Sequence, residues 1–311
     1  MLRRLSAVLA ACVMLGACMG NGEDGLGLVG MGPTPQPGQL YTWMHPEIDE
    51  AWAEGYFGQG THVTLVDRFI GSQFRANLGY GEMEGTHGFW TSTQISVIAP
   101  SAQIREIDFS YRAAVDLVPN KLNVMNLSYS YPGSSSSDIQ NLTSAVIEHS
   151  LIAHAHAGNA LIVKSAGNTS VAVDGVFGVN SNRKDLLNIA LIGAPSAIFV
   201  GALDRHGTPD DPASLTGYSS FAGSDLTVQN QFLSVGVLSE LTGLEGTSFA
   251  APIVSGYAAI LGSKFTNASP TQIANQLLDT ARTDTIKSFD PALHGRGEAS
   301  LSRALAPATI H

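Results

Sequence analysis

Only two cysteines occur in the 311 residues, Cys12 and Cys18, so the body of the chain has no thiol with which to build a disulfide. An exported body of this kind must hold its core together by packing alone. Charge is also scarce: 14% of residues are charged, and 16 basic residues against 26 acidic ones give a net charge of −10. A chain this poor in Lys and Arg lacks the electrostatic footprint of a nucleic-acid binder, and no nucleic acid is expected as a partner. Polar low-complexity tracts and internal repeats are missing as well, which argues against disorder and against a repeat architecture. What is present is apolar bulk, 44% hydrophobic residues with 33 glycines, enough for a large core. The length could hold two average domains, although α/β folds of this size are often single.

The amino terminus reads as a targeting segment. Arg3 and Arg4 precede the apolar run Leu5 to Leu15, which is too short to cross a bilayer as a stable helix. Leu15-Gly16-Ala17-Cys18 follows and resembles the lipobox of bacterial lipoproteins, which implies cleavage before Cys18 and lipidation of that cysteine. The alternative is an ordinary secretory signal cut at a small-residue site. The expected organisation is a signal peptide at 1–17, a lipidated cysteine with a Gly/Pro-rich tether at 18–40, and a single folded body at 41–311. Losing Arg3 and Arg4 with the signal would leave 14 basic against 26 acidic residues, a net charge of −12. A tether of that length has an r.m.s. reach of roughly 25 Å. The lipid is the expected membrane contact, on a bacterial cell-envelope surface, periplasmic or outer-membrane, and the body is expected to be a monomer.

The rest of the chain is organised around Gly246-Thr247-Ser248-Phe249-Ala250-Ala251-Pro252-Ile253-Val254-Ser255-Gly256-Tyr257-Ala258-Ala259-Ile260-Leu261. From Phe249 onward it is apolar on every face apart from Ser255, the pattern of a helix buried between layers. Ser248 then falls at the first turn, where unpaired N–H groups and the positive end of the dipole point. On these grounds alone two readings are open: Thr247 or Ser248 simply caps the helix, or the glycine before them permits close approach of a substrate.

Gly-Thr-Ser-x-Ala-x-Pro-x-Val-x-Gly, complete from Gly246 to Gly256, resembles the nucleophile signature of the subtilisin-like serine proteases. That resemblance implies an α/β fold with a doubly wound, mostly parallel sheet, helices on both faces and a buried central helix after the nucleophile. It also implies an Asp-His-Ser triad in that chain order and an oxyanion donor. The β-rich run His62 to Asp67, preceded by Gly58 and Gly60, resembles the segment that delivers the triad aspartate and makes Asp67 the candidate, at the carboxyl end of a strand where catalysis gathers. Arg68-Phe69 follows where relatives usually carry Ser/Thr-Gly. Gly85-Thr86-His87-Gly88 resembles a reduced form of the histidine segment and makes His87 the candidate base. His206-Gly207 and His294-Gly295 share the dipeptide but fall at the wrong points in the order. His154 and His156, at a helix end, read as partners of the C-terminal dipole rather than metal ligands.

The strand Leu122 to Ser128 resembles the one that lends backbone groups to a docked peptide, which implies substrate contacts at Ser128, Tyr129 and Ser130. Ala160 to Ala166 reads as a buried strand ending in Gly167-Asn168. This resembles the oxyanion segment, with Asn168 supplying a side-chain amide and Ser165, Ala166 and Gly167 lining the cleft; asparagine at 168 also separates the chain from the sedolisins. Lys164 is unusual inside such a strand and is either paired with a carboxylate or close to the specificity pocket. Glu245 stands where asparagine is common. A long amphipathic helix is expected from about Asp138, with Ile139, Leu142 and Val146 on one stripe and Gly158 as its stop. Val171 to Ala194 reads as a surface excursion with a helix near 185–192, and Ser269-Pro270-Thr271-Gln272 as a capping box. The resemblance covers roughly Pro46 to Leu305, and no folded propeptide fits between Cys18 and the body.

The expected activity is hydrolysis of peptide bonds in protein or peptide substrates through an acyl-enzyme on Ser248. No cofactor or metal is expected, since no ligand cluster has a spacing that demands calcium. The alternative is a catalytically lapsed subtilase-like lipoprotein that binds proteins. A serine esterase of the α/β-hydrolase type would need a Gly-x-Ser-x-Gly elbow, which is absent around Ser248.

Overall fold

The computed structural model describes residues 38–178 and 181–310. The expected signal peptide, Cys18 and nearly all of the expected tether lie outside them. Within the described residues the chain runs through α1 (Glu47–Ala53), β1 (Thr61–Asp67), the hairpin of β2 (Gln73–Ala76) and β3 (Met83–Thr86), α2 (His87–Ile98), β4 (Gln103–Asp108), β5 (Leu122–Leu127), β6 (Pro132–Ser134) and α3 (Val146–His156). It continues through β7 (Leu161–Ser165), β8 (Arg183–Asp185), α4 (Leu186–Leu191), β9 (Ala197–Leu203), α5 (Leu226–Asn230), β10 (Phe232–Gly236), α6 (Ser239–Thr242), α7 (Ala251–Lys264), α8 (Pro270–Asp279), α9 (Pro291–His294) and α10 (Leu301–Leu305).

β1 is buried at all its positions, as an unbroken run of β-formers must be when helices cover both faces of a sheet. It lies between β4 and β5 in a six-stranded sheet of order β10-β9-β7-β5-β1-β4, and each pairing is parallel. The doubly wound α/β architecture is therefore as the sequence led us to expect. On one face α2 and α7, with α1, α8 and α10, enclose a core that includes Val63, Leu65, Trp90, Tyr257 and Leu261. On the other, α3 and α4 pack over Met125, Ile162 and Phe199.

α7 is buried along its whole length except at Lys264. Gly256 is what lets it sit so close to α2, because a Cβ there would lie 2.5 Å from the Ile98 side chain. The one polar residue in its apolar run has a partner: Ser255 donates to Asn126 Oδ1 on β5 at 3.1 Å. Asn126 Nδ2 in turn donates to Ser128 Oγ at 3.0 Å.

Three local expectations need correction or refinement. The long helix from Asp138 is instead a 3₁₀ turn, Ile139–Asn141, followed by the separate α3. Asp138 caps only that turn, through Gln140 N, and Leu142 is extended (φ −93°, ψ 104°), so the stripe is interrupted there. Second, Ser248 is not in α7; it sits in a 3₁₀ turn, Thr247–Phe249, ahead of it. Third, the cap position of α7 is Ala250, and no side-chain cap hydrogen bond is made, so capping is not the role of Thr247 or Ser248. The capping box of α8 forms in full between Ser269 and Gln272. Near the start of the described residues Tyr41, Trp43 and Met44 are buried in the main core. Trp43 Nε1 donates to Leu78 O at 2.9 Å and thereby clasps the loop between β2 and β3.

Candidate active site

Asp67 ends β1 at the carboxyl edge of the sheet with only 1% of its side chain exposed. A carboxylate buried this deeply needs several donors, and it has them. Oδ1 accepts from His87 Nδ1 at 2.6 Å and from the Arg68 amide at 2.6 Å, while Oδ2 accepts from Thr91 Oγ1 at 3.0 Å. Thr91 lies four residues after His87, one turn along α2 on the same face. The sequence reading missed it, although the i, i+4 spacing from a candidate base was the available signal.

The unusual Arg68-Phe69 flank is accommodated by a carboxylate on the neighbouring strand. Asp108, which pairs with Asp67 across β4 and β1, accepts from the amides of Phe69 and Ile70 at 2.8 and 3.1 Å. Burial raises the Asp108 pKa, but hydrogen bonds from Ser110 and from these two amides outweigh it and hold the carboxyl below its ordinary value. Arg68 O accepts from the Gly88 amide at 2.9 Å, which ties the turn to the start of α2.

His87 opens α2, and Thr86 caps the helix by accepting from Phe89 N at 3.2 Å. With Nδ1 facing a carboxylate, that nitrogen carries the proton, and Nε2 is left as the acceptor. The imidazole is 19% exposed, so one edge faces solvent. The ring of Phe249, next to Ser248, lies 5.2 Å from it between centroids.

Ser248 is partly accessible. Its hydroxyl donates to Ser128 O at 3.0 Å rather than to His87, and Ser128 Oγ returns a bond to Ser248 O at 2.8 Å. The expected nucleophile is thus seated directly against the end of β5. Asn168, exposed at the end of β7, accepts through Oδ1 from both the amide and the hydroxyl of Thr247, at 2.8 and 2.9 Å. Because the Thr247 amide can only donate, the side-chain oxygen must face it and the Nδ2 donors point the other way. Thr247 Oγ1 also accepts from the Gly167 amide at 3.0 Å, so one hydroxyl ties both Gly167 and Asn168 of the expected oxyanion segment to the turn bearing Ser248.

Of the remaining expected cleft residues, Ser130 is exposed, while Tyr129 is half-buried with its phenol donating to Glu148 at 3.0 Å. Ser165 and Ala166 are buried, and their carbonyls are engaged by Lys164 Nζ (2.7 Å) and Asn188 Nδ2 (3.1 Å). Gly167 is half-buried and its carbonyl accepts from Ser220 N at 2.8 Å. Lys164 is paired with a carboxylate, Asp185, which decides between the two readings of that residue. Glu245 is exposed and has no hydrogen-bond partner among the described residues. Among the described residues, no other histidine hydrogen-bonds to Asp67, Ser248 or Asn168. His154 and His156 bond to Val115 O and Ala190 O, so each serves a neighbouring segment rather than the end of its own helix. Among the described residues no group of three or more His, Cys, Asp or Glu is arranged to hold a metal ion.

Known proteins resemble this chain in sequence and in fold. The family model described as the subtilase family matches residues 68–300, starting one residue past Asp67. Subtilisin DY of Bacillus licheniformis is 27% identical over 293 residues, covering 83% of this chain and 95% of the relative. Among solved structures, the prenylagaramide maturation protease PagA superposes with a TM-score of 0.54 at 17% identity, over 84% of this chain and 98% of PagA. MycP1 from Mycobacterium smegmatis gives a TM-score of 0.53 at 19% identity, over 88% of each chain. At these identities the solved structures speak for the fold.

Proposed function

The chain belongs to the subtilase family and is a serine-type endopeptidase, and from that premise we propose that Ser248, His87 and Asp67 are its catalytic triad and Asn168 its side-chain oxyanion donor. The observation that carries the assignment is the His87 Nδ1 to Asp67 Oδ1 contact of 2.6 Å, made at the same sheet edge where Asn168 and Thr247 fasten the turn bearing Ser248. Ser248 Oγ rotates from the Ser128 carbonyl towards His87 Nε2, which takes its proton as the hydroxyl attacks the substrate carbonyl. Asp67 holds the productive tautomer and stabilises the imidazolium. The Asn168 amide and the Ser248 backbone N–H receive the developing oxyanion, and His87 then returns the proton to the leaving amine. Substrates are proteins or peptides, and an extended segment lies against residues 128–130 as an added strand.

The proposal includes export and lipidation at Cys18, supported by Leu15-Gly16-Ala17-Cys18 and the basic residues before it. Among the described residues no helix is long and apolar enough to cross a membrane.

The decisive experiment is covalent labelling of the full chain with a fluorophosphonate, which needs an activated serine and no knowledge of the substrate. Labelling is expected at Ser248, lost in Ser248→Ala, and accompanied by casein cleavage. Equal labelling or equal cleavage after Ser248 is removed would refute the triad. A folded protein that neither labels nor cleaves would favour a lapsed, protein-binding role. Incorporation of labelled palmitate, abolished by Cys18→Ala, tests the anchor.

A further inference from the structure

A cavity of about 300 Å³ opens beside the expected substrate strand, walled by Phe109, Tyr111, Tyr129 and Tyr131, with Glu148 and Arg112 among its lining. Ser130 also borders it, so the cavity begins just past Ser128, the residue whose carbonyl holds Ser248 Oγ. In an extended peptide successive side chains alternate and each residue advances about 3.3 Å. A peptide laid along residues 128–130 therefore carries one of its side chains over this cavity, away from the scissile bond.

The cavity holds a carboxylate with no counter-charge of its own. Glu148 projects from α3 and is 8% exposed. Its Oε1 accepts from the neutral phenol of Tyr129 at 3.0 Å, and among the described residues no Lys, Arg or His lies at ion-pair distance from it. Arg112 does not answer it; its guanidinium donates to the carbonyls of Phe109 and Tyr111. Burial, together with the Glu148 charge, pushes the Tyr129 phenol well above its ordinary pKa, so the phenol remains a donor and keeps the carboxylate fixed. Sequestering a carboxylate this far from water is costly without a cation to meet it. The walls suit the stem of a long cationic side chain: Phe109 and Tyr129 stand edge to face at 4.8 Å, and aromatic faces attract ammonium and guanidinium groups.

We propose that this cavity is a subsite for a lysine or arginine side chain of the substrate, with Glu148 as the residue that selects it. The inference rests on the protease reading above and deepens it: the enzyme cleaves at a fixed distance from a basic residue. A charge-assisted hydrogen bond in a half-enclosed pocket corresponds to a discrimination of about 10- to 100-fold.

The test uses the full chain and fluorogenic peptides in which Lys, Arg, Gln, Leu and Glu are placed in turn at each position flanking the cleaved bond. One position is expected at which Lys or Arg exceeds Gln in kcat/KM by about 10- to 100-fold. In Glu148→Gln, which keeps an acceptor for the Tyr129 phenol, that ratio is expected to fall to near one. As a second readout, the same peptides should bind Ser248→Ala with the basic preference, and Ser248→Ala with Glu148→Gln without it. Absence of a basic preference at all positions, or its survival in Glu148→Gln, overturns the proposal. Fluorophosphonate labelling separates the two failures. A labelled enzyme without the preference sinks the subsite alone, whereas an unlabelled one refutes the protease reading and the subsite with it.

Discussion

Lys164 Nζ lies 3.1 Å from Asp185 Oδ2, with the two side chains 0% and 2% exposed. The pair joins three segments around the site. Lys164 donates to Ser165 O at 2.7 Å, and Asp185 Oδ1 accepts from Tyr131 N at 3.0 Å and from Leu187 N at 3.1 Å at the start of α4. The strand leading to Asn168, the segment after Ser128 and α4 are therefore fastened at one buried point. Burial pulls the Lys164 pKa below its ordinary value while Asp185 pulls it back up, so the ammonium depends on its partner.

Asp185→Asn removes the counter-charge and leaves a buried ammonium, a change that costs about 3–5 kcal/mol. Urea unfolding is expected to report that loss. Lys164→Met combined with Asp185→Asn should recover part of it, because no charge is then left uncompensated. If Asp185→Asn alone shifts stability by less than about 1 kcal/mol, the pair does not hold these segments together.

Gly246 has φ +124°, and a Cβ built there would come within 2.9 Å of Asn168 Nδ2. Gly246→Ala is expected to displace the proposed oxyanion donor and reduce kcat by on the order of 10²-fold, towards the effect of Asn168→Ala, with circular dichroism unchanged. That magnitude comes from a subtilisin, a relative within the family. Thr247→Val, which keeps the shape but drops the hydroxyl between Gly167 and Asn168, should lower kcat by roughly fivefold to tenfold at similar KM, the equivalent of about 1 kcal/mol. Equal kcat in all three proteins would remove Asn168 from the mechanism.

Thr91→Val takes from Asp67 the donor on its Oδ2. An unsatisfied oxygen on a buried carboxylate costs about 1–3 kcal/mol. The variant is expected to unfold at lower urea and to show a lower kcat/KM, since Asp67 then grips His87 less firmly. Thr91→Ser, which restores a hydroxyl at the same place, should rescue most of both. Rescue of stability without rescue of kcat/KM would limit Thr91 to the fold.

Two buried groups slope stability in opposite senses. Burial pushes the carboxyl of Glu298 up from 4.5 to about 7, so it contributes stability that is full below its unfolded value and is lost as pH rises through about 7. Burial, then the neighbouring His45, pulls His206 down from 6.5 to about 4, so its contribution is present above 6.5 and is lost as pH falls towards about 4. Glu298→Gln should therefore gain on the parent chain between pH 4.5 and 7, by on the order of 3 kcal/mol across the window. A stability difference that stays flat over that range would show that Glu298 ionises normally in the fold.

Much of this was legible in the chain itself. The unbroken run of β-formers ending at Asp67, the Thr86-His87 helix entry and the Gly-Thr-Ser preceding an apolar helix are local patterns, and local patterns report strand ends, caps and buried faces. For the same reason Ser269 and Gln272 announced α8 before any contact was known. Tertiary structure decided what depends on segments far apart in sequence. Lys164 could not be assigned until β8 brought Asp185 beside it. Asp108 could not be seen to support the Arg68-Phe69 turn until β1 and β4 lay in register. A capping role stayed open for Thr247 until Asn168 arrived from the end of β7, and Glu148 drew no notice until the packing of α3 turned it inward. Periodicity records which face of an element is buried, but only the packing of distant strands determines which polar groups are buried together.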